Sequence, residues 1–409
     1  MAGSTIDHMV SLIVFLGALL LFINLFNQTI QTAVLFQRNR YTAIKCSDLL
    51  DNILLNPGIP ENWSRMDVAP TGFGLQDPEF TQYKLSPFAL MHLNYSVGEP
   101  VYYPKTGQWY SNTTIGFGEF LLVPFNETVD YRTAAILLGI NGTLGFRITI
   151  TPVLNISITP LGSLDNPSKL AVNVKGSGFS LAGAEINYCL VTVKARGGAG
   201  QYPSYEVYYG TGFTDASGST TLNLNETGDS YAVIVYARLG GLFGVGYYEH
   251  VTYKENYVVP FISSFKDGEV LLAHSWDVHG GDDPAEITYN ATFVLLTEDF
   301  RLRELPLGDG KIGKLNYGQD PKFAYVKLKI PTYSSGVLVV SYRKSAQDQM
   351  CGVVVMPWGI STLAFPVVFG EDPMGKTWVA TDVRQVTVNG VTYEAVLALW
   401  SQQGYGVVG

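Results

Sequence analysis

From Met9 to Phe26 the chain runs for 18 residues without a charge, about the shortest stretch that can cross a bilayer. Asp7 and His8 stand directly before that run, with no Lys or Arg ahead of them. A secretory signal would carry a basic start, a shorter apolar core and a small-residue cleavage site after it. The residues after Phe26 read NQTIQTAVLFQRNR and contain no such site. The segment is expected to be retained.

The helical pattern continues past Phe26. Ile30, Ala33, Val34, Tyr41, Ile44, Leu50, Ile53 and Leu54 recur mostly at three- and four-residue steps with polar residues between them, the spacing of an amphipathic helix. Nothing breaks the pattern before Asn56-Pro57-Gly58, where the residue ahead of proline is pushed out of the α region. One helix over residues 5–55 would be about 75 Å long at 1.5 Å per residue. Its first third is apolar all round, and the remainder carries a stripe expected to pack on the body.

Asp7 admits two readings. With Ser4 it forms a capping box at the start of the apolar run. Alternatively it is a buried partner for a free α-amine in an assembled fibre. Here the stretches GSTIDHMVSLIVFL and SDLLDNILLNPGIPENW resemble the archaeal type IV pilin-like proteins, over roughly residues 3–64. The resemblance implies a signal cut just before the hydrophobic helix, and cleavage after Ala2 would make Asp7 the fifth residue. It further implies a helical homo-oligomer, stored in the membrane before assembly, whose core contains Asp7, Met9, Leu12, Phe15, Leu16, Leu19, Phe22, Ile23 and Phe26. Two features depart from the family. No basic residue precedes the run, and Arg38, Arg40 and Lys45 follow it, which by a literal positive-inside count puts the C-terminal side in the cytoplasm.

The sequons point the other way. Asn-x-Ser/Thr occurs at Asn27, Asn62, Asn94, Asn112, Asn126, Asn141, Asn155, Asn225 and Asn290, nine of the twenty asparagines, where chance would give about three. An exported body with N-linked glycans on several of the other eight is expected, with Asn27 bare because it borders the apolar helix.

Hydrophobic residues make up 47% of the 409 and charged ones only 15%. Tyr, Thr, Ser and Gly must therefore coat the surface, which suits β-sheets. The expected fold is α+β by segments: the long N-terminal helix (1–58), then mostly antiparallel β-sandwich (Ig-like) domains. These comprise a β-rich head part with a short helix at DYRTAAILLGING (59–165), an Ig-like sandwich (166–258) and a C-terminal β-rich domain (259–409). The stretches LAGAEI, GTGFTDASGSTTLNL and YAVIVYA resemble the Ig-like carboxypeptidase-regulatory modules. The last is apolar on both faces, as a central strand must be. Whether this module is inserted into one β-rich head or follows in series stays open. RQVTVNGVTYEAVLAL reads as a hairpin with a type I′ turn at Asn389–Gly390.

Three cysteines form neither a disulfide framework nor a metal knuckle. Cys189 and Cys351 are the pair expected to bridge in an exported chain, since Cys46 lies in the helical stretch. The richest chemistry is AHSWDVHGGDDPAE, with His274, Asp277, His279, Asp282 and Asp283, read as a solvated loop and not a metal site. GDGKIG (Gly308–Gly313) matches a dinucleotide fingerprint only formally and reads as a turn. The net charge of −9 without a Lys/Arg cluster argues against nucleic acid. The expectation is a structural filament subunit with no catalytic activity, metal or cofactor. The alternative is a single-pass protein displaying its β-domains for adhesion.

Overall fold

The computed structural model describes residues 2–79, 82–93, 98–115, 118–163, 165–194, 202–224, 227–251, 258–279, 286–313, 325–331, 334–344, 351–359 and 366–402. Asn94, Asn225, Asp282 and Asp283 lie outside them. A long N-terminal helix leads into a mostly antiparallel β-rich body.

The helix, α1, runs unbroken from Ala2 to Leu55. It already includes Ala2, so Ser4 and Asp7 lie within its first two turns. Its end is fixed from two sides. Asn56 Oδ1 accepts the Gly58 N–H at 2.9 Å, and Gly58 takes a φ of +88° that suits only glycine. The last carbonyls, which no helical N–H can reach, accept from the returning chain: Leu75 N to Ile53 O at 2.9 Å and Gln76 N to Asn56 O at 3.1 Å.

The last four turns of α1 bury side chains in the body. Thr42, Cys46, Leu49, Leu50, Ile53 and Leu54 are buried against a five-stranded sheet ordered Lys84–Leu85, Ala380–Val388, Val391–Ser401, Leu144–Pro152, Val367–Gly370. The hairpin Ala380–Ser401 turns through Asn389 and Gly390 at φ 46° and 80°, as a type I′ turn requires.

Strands from 154 to 251 pair only with each other among the described residues. One sheet is ordered Ser219–Asn223, Lys169–Gly176, Leu154–Leu161, and the other Ser204–Phe213, Glu185–Lys194, Ser230–Leu239, Leu242–Val251. Val172, Val174, Ile186, Leu222, Val233 and Val235 interlock between them. Gly244 and Gly246 let the last strand close onto the first, since a Cβ at either would meet Leu154 or Ile156 at 2.6 Å. The module is therefore inserted between two parts of the body.

It is not a free bead. Ala232, Ile234 and Tyr236, on the other face of YAVIVYA, join the main core with Cys189, Val191 and Val193. Beyond them lies a four-stranded sheet ordered Arg301–Ile312, Ile287–Thr297, Gly336–Lys344, Cys351–Trp358. Asn187 Nδ2 donates to Phe300 O at 2.7 Å and Ser230 Oγ to Cys351 O at 2.8 Å across that joint. Both faces of the YAVIVYA strand are buried, which is why it carries no polar side.

A fifth sheet, of six strands, mixes distant parts of the chain. Its order is Tyr325–Lys329, Glu269–His274, Val258–Ser264, Gly118–Pro124, Gln108–Ile115, Gly98–Tyr103, with a parallel join at Phe261 and Leu121. The expected divisions at residues 165 and 258 therefore do not separate the sheets: early and late strands interleave. GDGKIG is also not a turn. It falls mostly within Arg301–Ile312, where a register shift beside Ala291 and Thr292 accommodates Pro306 and Gly308.

Candidate functional site: the exposed N-terminal helix

Residues 6–41 of α1 are exposed, apart from half-buried Asn39, over about 54 Å at 1.5 Å per residue. Asp7, Met9, Leu12, Phe15, Leu16, Leu19, Phe22, Ile23 and Phe26 all face solvent, and no part of the most apolar 18-residue window is buried in the fold. By length and composition the helix can cross a membrane. Phe22 and Phe26 stack at 6.3 Å between ring centroids. Polar residues after Phe26 partly hide their polarity: Thr29 Oγ1 donates to Leu25 O and Thr32 Oγ1 to Gln28 O, both at 2.8 Å.

The stripe expected to pack on the body does not do so over its first half. Ile30, Val34, Tyr41 and Ile44 are exposed, Tyr41 to 65%. The side that docks is led by Thr42 and Cys46. The Cys46 thiol lies 3.4 Å from Leu397 O, and burial raises its pKa to about 11. Beside this seat, Arg384 binds Asp51 through two hydrogen bonds (2.9 and 3.2 Å), Ser47 Oγ at 3.0 Å and Asp382 at 2.8 Å. Tyr83 adds a hydroxyl to Asp51 Oδ1 at 3.0 Å. Where the helix leaves the body a groove of about 660 Å³ opens, lined by Val34, Arg38, Tyr41, Lys376, Trp378 and neighbours.

The expected Cys189–Cys351 bridge is absent: Cys46, Cys189 and Cys351 are all free and buried. Cys189 lies opposite Ile234. Cys351 meets the same strand at Ser230, four residues or about 13 Å further along. Of the sequons, Asn62, Asn126, Asn141 and Asn155 are exposed. Asn112 lies in the strand Gln108–Ile115. Asn290 is half-buried mid-sheet, with its amide donated to Pro203 O at 3.3 Å, so it is not the freely presented acceptor expected.

Within AHSWDVHGGDDPAE, His274 is fully buried and its Nδ1 accepts the Trp276 N–H at 3.2 Å. Asp277 and His279 belong to the short helix Ser275–His279. No group of three or more His, Cys, Asp or Glu among the described residues is placed to hold a metal ion.

A second buried polar cluster ties the loop after α1 to the body. His92 is fully buried, with Nδ1 and Nε2 each 3.2 Å from a carbonyl, of Glu127 and Ser64. Trp63 and Phe265 flank its ring at 5.3 and 4.8 Å. Burial lowers its pKa to about 4, against those two hydrogen bonds. Burial, aided by the charge of Asp67, raises Glu127 to about 7. Asp67 itself accepts from Ser264 Oγ at 2.8 Å and Phe265 N at 3.0 Å. With its imidazole fully buried, this cluster holds elements together.

No protein-family model matches the chain, and no curated protein matches it. Among solved structures it is similar to the chicken interferon gamma receptor alpha chain at 12% identity and a TM-score of 0.15, over 51% of this chain and 97% of that one. It is also similar to red sea bream transglutaminase at 9% identity and a TM-score of 0.17, over 61% of this chain and 37% of that one. Neither score is high enough to carry an argument about fold or activity.

Proposed function

We propose that this chain is a structural subunit of an extracellular filament of the archaeal type IV pilus-like kind. In this reading the residues from Ile6 to Phe26 are held in a membrane before assembly and then bundle with the same residues of other copies. One observation carries it: a helix apolar all round up to Phe26 and amphipathic beyond it stands uncovered for about 54 Å, whereas about 30 Å suffices to cross hydrocarbon. An acid at Asp7 adds support, because a charge in a packed core needs a partner, which a neighbour's α-amine would supply. The β-rich body forms the outer sheath, with glycans on Asn62, Asn126, Asn141 and Asn155. The inserted module, two four-stranded antiparallel sheets face to face, supports reading it as an Ig-like sandwich, a module that spaces and stiffens. The role is non-catalytic and involves no cofactor or nucleic acid.

Electron microscopy of sheared cell-surface material, with antibody to the body, tests this directly. Filaments carrying the label are expected, and Asp7→Ala should abolish them while membrane insertion persists. A protein that is monodisperse in detergent and absent from every filament would instead be a singly displayed, membrane-anchored β-domain protein, a reading favoured by the span-length apolar helix.

A further inference from the structure

An Asn-x-Ser/Thr site is read at two places, the asparagine and the hydroxyl two residues on, since only Ser or Thr in the third position makes one. An enzyme that selects such a site must reach both. Exposure of the asparagine alone does not suffice.

At Asn62-Trp63-Ser64 the two places differ. Asn62 is exposed, whereas Trp63 and Ser64 are 0% and 2% exposed. The Ser64 hydroxyl lies 3.0 Å from that of Ser86, inside the fold, and the Ser64 carbonyl lies 3.2 Å from His92 Nε2. Trp63 belongs to the main core and donates from Nε1 to Pro57 O at 3.0 Å. The segment is also wound into a 3-10 turn, with Asn62 O accepting from Arg65 N at 2.9 Å. Freeing the hydroxyl means drawing an indole out of the core, an opening from the costly end of the range a folded protein allows.

Asn141-Gly142-Thr143 and Asn155-Ile156-Ser157 are built otherwise. Asn141 and Thr143 are both exposed in a turn. Asn155 and Ser157 are both exposed on the strand Leu154–Leu161, where residues two apart point the same way. Each of these sites shows both of its readable groups on the surface of the finished body.

We infer that Asn62 accepts a glycan only while the chain is unfolded, whereas Asn141 and Asn155 accept one before or after folding. The inference rests on the glycosylated-body reading above and adds an order of events to it. The donor is an oligosaccharide carried on a lipid diphosphate. A bond forms between the asparagine Nδ2 and the sugar C1 as the bond from C1 to the phosphate oxygen breaks. The lipid diphosphate leaves with that electron pair, and the amide proton passes to a base of the enzyme. The folded body has room for the sugar once it is in place: Asn62 borders a groove of about 630 Å³ walled by Arg65, Glu79 and Lys266. A glycan on Asn62 then marks a chain that was modified before Trp63 packed.

Cell-free synthesis of the full chain into liposomes tests the order. In one arm a single-subunit oligosaccharyltransferase and a polyprenyl-diphosphate oligosaccharide are present throughout. In the other they are added after the body has folded, as read by protection of the buried Cys46, Cys189 and Cys351 from a thiol reagent. Mass spectrometry then gives the occupancy of each asparagine. Asn141 and Asn155 should be filled in both arms and Asn62 in the first, with occupancy at Asn62 falling about tenfold or more in the second. Equal filling of Asn62 in both arms overturns the inference, as does loss of Asn141 and Asn155 from the second. If Asn62 stays bare in both arms while Asn141 is filled, the glycosylated body stands and the order of events falls. If no site is filled while a control Asn-x-Thr peptide is, both readings fall.

Discussion

Arg384 grips Asp51 across 333 residues of sequence, with Nε to Oδ1 at 2.9 Å and Nη2 to Oδ2 at 3.2 Å. The bond joins the C-terminal hairpin to the last turns of α1 and fixes how the helix leaves the body. A two-point guanidinium–carboxylate contact sets direction as well as attraction.

Arg384→Ala should therefore loosen the helix seat. Because Asp51 is about a third exposed (37%), solvent screening holds the loss to about 1 kcal/mol. The local effect should be larger than the global one. Cys46 sits on the buried side of the helix at the same joint, and its labelling by a thiol reagent under native conditions should accelerate in the variant. An unchanged labelling rate would show that the aliphatic contacts alone hold the seat.

The buried pair of titrating groups near Trp63 makes opposite demands on pH. His92 has its pKa lowered to about 4 from 6.5. Its contribution is complete above pH 6.5 and is lost as pH falls toward 4, where the unfolded chain takes up a proton the folded one refuses. Glu127 has its pKa raised to about 7 from 4.5. The folded chain then holds a proton that the unfolded chain has released, so stability falls as pH rises from 4.5 through 7. Between pH 4.5 and 6.5 the two slopes partly cancel. Glu127→Gln should remove one of them, leaving stability that rises with pH over that window. At pH 8 it should gain on the order of 2 kcal/mol. Denaturant titrations at pH 5, 6.5 and 8 read this out, and a gain equal at all three would refute it.

Gly246→Ala should destabilise the inserted sandwich by about 1–3 kcal/mol, the usual cost of forcing an extra carbon into a packed core. The new Cβ would meet Ile156 Cγ2 at 2.6 Å and its Cβ at 2.9 Å. Gly178→Ala serves as the control, since its Cβ would meet nothing within 4 Å. It pays only for its φ of +85°. Thermal unfolding of both variants separates crowding from backbone strain.

All three thiols should be available once the chain is denatured without reductant. Labelling should give three modified cysteines per chain in denaturant and close to none in the folded protein, because burial also raises the Cys189 pKa. Two missing labels in denaturant would restore the bridge.

The helix was legible because its signals are local: an uncharged run, helical spacing, and Asn56-Pro57-Gly58 as a stop. Which side of it docks was not. The hydrophobic positions Ile30, Val34, Tyr41 and Ile44 stand out in the sequence, yet Thr42 and Cys46 lead the buried side, because the sheet that covers them lies more than 300 residues away. The YAVIVYA strand announced its two-sided burial by having no polar face. The parallel join of Phe261 to Leu121 left no trace, since strand pairing over 140 residues depends on the assembled core and not on either segment. Asp51 and Arg384 show the same limit, each reading alone as an ordinary surface charge.

The seat of α1 is built from strands Ala380–Val388 and Val391–Ser401, and this has a consequence in time. The helix can dock fully only after strands made more than 300 residues later in synthesis have arrived. Until then the helix end has its contacts with the returning chain near Leu75 and Gln76 but lacks the strands that form its seat. A chain interrupted before residue 380 would keep its apolar segment but present it without direction. Completion of the body is thereby the event that aims the helix.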